Sequence, residues 1–89
     1  MSPMINDDEL IILFKLSSAK EPVPPTDIHK PEFVETLIAK GYAKAQVIHG
    51  EHSGLVITND GRWKYTSMVG IAPPVPRKIA QLMKQKGLQ

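Results

Sequence analysis

The sequence predicts a small α+β domain in which helices surround one two-stranded hairpin and an extra helix follows at the C-terminal end. Three observations carry this. Capped or amphipathic stretches near residues 6–16 and 31–40 read as helices. Two β-rich segments flank a polar, glycine-containing tip. Helix signals resume at Thr58 and again after Pro76.

The first helix starts at Asn6-Asp7-Asp8-Glu9. Asn6 supplies an N-cap acceptor, Glu9 three residues later completes a capping box, and acids occupy the positive end of the helix dipole. The run Leu10-Ile11-Ile12-Leu13-Phe14-Lys15-Leu16 is apolar on nearly every side, so the helix belongs in the centre of the fold. A buried strand is the competing reading of so short a run, and the acidic cap decides for a helix. Ser17-Ser18 ends it. Pro22, Pro24 and Pro25 then impose an extended, stiff connection, and Thr26–His29 has room for one helical turn.

The second helix spans Pro31 to Lys40. Pro31 suits the first helical position and Gly41 the stop. Phe33, Val34, Leu37 and Ile38 form its apolar stripe, which leaves Glu32, Glu35, Thr36, Ala39 and Lys40 outward. The segments 42–48 and 55–58 make the hairpin, with Leu55 and Ile57 on one face. Thr58 or Asn59 caps a third helix that brings Trp63, with Tyr65 or Thr66, to the core and ends near Gly70. Pro76 opens the last helix, which packs through Ile79, Leu82 and Met83 and is stopped by Gly87.

The chain has 89 residues, 42% of them hydrophobic and 22% charged, which suits one soluble domain. We expect residues 1–70 to form it and the proline-led helix of 71–89 to pack on it or serve dimerisation. Cysteine is absent, which excludes disulfides and thiolate chemistry. The apolar run Leu10–Phe14 is far short of the ~20 residues that cross a membrane. The start Met1-Ser2-Pro3-Met4 lacks the features of a secretion signal, so a cytoplasmic location is expected. Net charge is +2 but divided: residues 1–35 carry −4 and residues 36–89 carry +6. A basic second half suits phosphates or an acidic protein surface.

Two blocks, Leu37-Ile38-Ala39-Lys40-Gly41-Tyr42 and Thr58-Asn59-Asp60-Gly61-Arg62, bracket the hairpin. With the order helix, turn, helix, hairpin, helix, they resemble the winged helix-turn-helix domains of MarR-type regulators over residues 8–66. The resemblance implies a recognition helix ending at Gly41, a two-stranded wing, and a helix capped at Thr58. The tail Ile71–Pro76 is similar to that of small phage-encoded proteins. Two features depart from the family pattern. Prolines stand where a full second helix is usual, and the helix that should read bases offers Glu32 and Glu35 but no Arg, Asn or Gln.

The first expectation is therefore a small DNA-binding transcriptional regulator of phage or mobile-element type. Its contacts would come from Lys30, Lys40, Lys44, His49, His52, Arg62 and Lys64, with Arg77, Lys78, Lys84 and Lys86 forming a basic last helix. The alternative is a winged-helix interaction module, such as a phage accessory protein or an inhibitor of a host factor, using Glu32, Glu35 and Thr36. Expected partners are double-stranded DNA or a host protein, with a homodimer and no membrane. His49-x-x-His52 around Glu51 is the one metal-like spacing, and it lacks further ligands. No acid/base pair, positioned nucleophile or phosphate loop stands out. Neither an enzyme nor a cofactor is expected.

Overall fold

The computed structural model describes residues 4–48, 50, 52–70 and 77–87. Among them lie four α-helices and one two-stranded antiparallel sheet: α1 (Asp7–Ser18), α2 (Val34–Ala39), β1 (Ala43–Ile48), β2 (His52–Ile57), α3 (Asn59–Val69) and α4 (Arg77–Gln85). Short 3-10 turns at Pro25–Asp27 and Pro31–Phe33 lie between α1 and α2.

The expected capping box starts α1. The Asn6 side chain accepts from the Glu9 amide at 2.7 Å, and the Glu9 carboxylate accepts from the Asn6 amide at 3.0 Å. Leu10, Ile11, Ile12, Leu13 and Leu16 are all buried, and α1 packs against α3, α4 and β2. This is the centre of the core, as its all-round hydrophobicity requires. After α1, Val23 exchanges backbone bonds with Leu55 of β2, at 3.0 and 2.8 Å, and so adds a one-residue bridge to the sheet.

The second predicted helix divides in two: a 3-10 turn carries the chain from Pro31 into α2. Leu37 is fully buried and Phe33 and Val34 pack at the core margin, whereas Ile38 is 40% exposed. A six-residue helix has one inward anchor, and Ile38 lies about 100° round from Leu37. The end of α2 follows from Gly41. Its φ of +81° lets the Gly41 amide bond to Ile38 O and the Tyr42 amide to Leu37 O, a Schellman closure that turns the chain straight into β1.

The hairpin register runs from Ala43 opposite Ile57 to Ile48 opposite His52. Thr58 then caps α3. Its Oγ1 accepts from the Gly61 amide at 3.0 Å and donates to Gly41 O at 2.6 Å, which ties the two ends of the hairpin together. Gly61 lies on the Tyr42 carbonyl, where a Cβ would collide with that oxygen and approach Ile57 Cγ1 to 2.8 Å.

One core expectation fails. Trp63 is 77% exposed, while Gly61 and Tyr65 are buried. The close approach at Gly61 sets the rotation of α3. Tyr65, four residues on, falls on the same face, and Trp63, midway between, points about 200° away from each. The last helix places Ile79 and Leu82 in the core, with Met83 beside them, and packs on α1 and α3. The expected opening of that helix at Pro76, and the tail 71–76, lie outside the described residues.

Candidate interaction surface

The sequence-predicted site residues divide by what already holds them. Glu9 is the one buried charged residue described, 1% exposed. Its carboxylate accepts from the Asn6 amide, from Thr36 Oγ1 at 2.7 Å, and from Lys40 Nζ at 2.7 and 2.9 Å. Lys40 Nζ also donates to Met4 O at 2.7 Å, so all three of its N–H donors are engaged. Burial pushes the Glu9 carboxyl upward, but the Lys40 ammonium, the Asn6 amide and the Thr36 hydroxyl outweigh it and hold the group below its ordinary value of 4.5. Lys40, expected among the DNA-contacting bases, thus points its charge inward. The hydroxyl of Thr36, expected on an interaction face, lies 2.7 Å from both Glu9 Oε2 and Phe33 O and shares its one proton between them.

Exposed on α2 and the turn before it are Pro31, Glu32, Glu35, Thr36, Ile38 and Ala39, and of these the two glutamates carry the charge. Lys30 is exposed just ahead of them, in a left-handed conformation at φ 55°. The surface is acidic with an apolar edge.

The other bases lie elsewhere. Lys44 is exposed on β1 and Arg62 on α3, with Lys64 half-buried. Arg62 lines a groove of about 220 Å³ together with Lys20, Glu21 and Gln46. Lys20 and Gln46 carry no sequence signal linking them to Arg62, because the connection after α1 brings them together only in the folded chain. Arg77, Lys78 and Lys84 are exposed on α4. Lys86, just after α4, pairs with Asp8 at 3.1 Å, and His29 Nε2 lies 2.8 Å from the same carboxylate. The bond to His29, helped by Lys86, holds the Asp8 carboxyl below its ordinary range. His49 and Glu51 lie outside the described residues, and His52 enters β2 opposite Ile48.

Among the described residues, no cluster of His, Asp or Glu could hold a metal ion, and no helix is long and apolar enough to cross a membrane. No family model, curated protein or solved structure matches the chain.

Proposed function

We propose that the chain is a winged-helix module whose α2 face docks a protein partner presenting basic and apolar side chains. The single observation that carries this is the engagement of Lys40 by buried Glu9. It takes up the only cation on the helix that would enter a major groove and leaves Glu32 and Glu35 facing outward. Carboxylates facing a phosphate-lined groove repel it, whereas a basic protein surface is attracted. The winged-helix reading itself is supported by Val23, which bridges β2 from the connection between α1 and α2, and by the closure of the hairpin between Gly41 and Thr58.

Zero-length carbodiimide coupling in a lysate, read by mass spectrometry, tests the role. The expected result is one stoichiometric protein joined through its lysines to Glu32 or Glu35, and lost in a Glu32→Ala/Glu35→Ala variant. Coupling that this double change leaves intact, or a duplex-DNA gel shift that it strengthens, speaks against the proposal.

One observation favours a second reading, regulation through duplex DNA. Lys20, Gln46 and Arg62 share a groove, with Glu21 also in its wall, and Lys44 is exposed on β1. Phosphates gripped there would give salt-dependent, sequence-independent binding, which Arg62→Ala should weaken and make less steep with salt.

A further inference from the structure

The hairpin has one covered side and one open side. In an antiparallel pair, the N–H and C=O of one residue point the same way, and successive residues alternate. Leu55 gives both of its backbone groups to Val23, so it turns them away from β1. Its register partner Ala45 therefore turns its own away from β2, and Ala43 and Val47 follow by the same alternation. The bond from the Thr58 amide to Tyr42 O, at 3.1 Å, fixes the same phase independently. Ala43 is closed off, at 3% exposure, but Ala45 and Val47 are open, Val47 at 66%. Among the described residues, no backbone bond from outside the hairpin reaches either of them.

Edge strands are commonly protected by lysine, by proline, by a bulge or by an inward charge. β1 reads Ala-Lys-Ala-Gln-Val-Ile, pairs along its whole length without a bulge, and has its one charge at Lys44, on the face opposite Ala45 and Val47.

We infer that this edge pairs with the same edge of a second copy, antiparallel, about a two-fold axis at Gln46. The inference goes beyond the docking role of α2 and does not depend on it. Among registers centred on an open residue or beside one, an axis at Val47 pairs only that residue, with its own mate, and sets Ala45 opposite a position past the end of β1. An axis at Ala45 needs the buried edge of Ala43, and an axis at Lys44 sets two ammonium groups face to face. An axis at Gln46 puts Ala45 opposite Val47 on both sides of the axis, and each pair exchanges both of its N–H···O bonds. The two Gln46 amides, each donor and acceptor, then sit opposite one another, and Lys44 falls opposite Ile48 instead of its own mate. The Ala45 of each copy covers the exposed Val47 of the other. Such a contact is isologous and closes at two copies.

Sedimentation of the full chain over a concentration series tests this, with Ala45→Pro and Val47→Lys as variants. Proline at 45 removes an N–H that β2 does not use. Circular dichroism checks that each variant is folded. The expected result is a reversible species of twice the 9.9 kDa chain mass, weakened roughly tenfold or more by each variant. The Ala45 and Val47 amides should be protected from exchange only at high concentration. A monomer at every concentration, or a dimer that a folded variant leaves intact, overturns the pairing. If Ala45→Pro fails to fold, Val47→Lys and the amide protection decide the matter.

Discussion

Replacing Lys40 with methionine keeps the length of the side chain and removes its ammonium, which leaves the Glu9 carboxylate buried without a counter-charge. Removing one partner of a fully buried ion pair costs ~3–5 kcal/mol. Here Glu9 keeps the Asn6 amide and the Thr36 hydroxyl, and the Lys40 side chain is 24% exposed. Roughly half of that cost, ~2 kcal/mol, is the expected loss. In urea, with a slope near 1 kcal/mol/M for a chain of this size, the midpoint should fall by about 2 M at unchanged slope. The pH dependence gives a second signature. In the wild type the folded-state pKa of Glu9 is depressed, so its contribution is full above the unfolded value and is lost as pH falls through the folded value. Without Lys40, the carboxyl loses its largest lowering influence and shifts upward from its wild-type position. The variant should then lose less stability than the wild type as pH falls, and its deficit should shrink. Glu9→Gln added to Lys40→Met should recover part of the loss. A Lys40→Met protein within ~0.5 kcal/mol of wild type at neutral pH would show that Lys40 does not compensate the buried Glu9 carboxylate.

Three further outcomes follow from the geometry around the hairpin and α3. Gly61→Ala, which in an open helix gains up to ~1 kcal/mol, should instead cost ~1–3 kcal/mol in chemical denaturation, because its Cβ meets the Tyr42 carbonyl. Thr58→Ala removes both the cap of α3 and the bond to Gly41 O and should lower stability by ~1–2 kcal/mol, read from the same curves. Trp63→Ala should change stability by no more than ~0.5 kcal/mol, and Trp63 emission in the folded wild type should already be that of a hydrated indole. A blue-shifted Trp63 spectrum contradicts the orientation of α3.

Signals confined to a few residues were legible in the sequence. The Asn6–Glu9 box, the stop at Gly41 and the cap at Thr58 each depend on neighbours within one turn, or on a backbone that only glycine tolerates. What escaped depends on the rotation of one element against another. Trp63 has the composition of a core residue but the wrong angle from Gly61. Glu9 was readable as a capping residue, yet its ion pair with Lys40 spans 31 positions. The i, i+4 placement of Thr36 and Lys40 on one helix face hinted that they act together, but nothing local names Glu9 as their target. The Val23–Leu55 bridge is likewise a long-range pairing inside a proline-rich connection that reads only as extended chain.

The claim on which the functional account rests is that α2 presents carboxylates outward and holds its cation inward. An amide-resolved NMR titration of the full chain with duplex DNA at low ionic strength tests this most directly. With the carboxylates outward, the amides of Glu32 through Ala39 should stay in place, whatever happens near Arg62 and Lys44. Salt-sensitive movement of the α2 amides, with Lys40 released from Glu9, would contradict it.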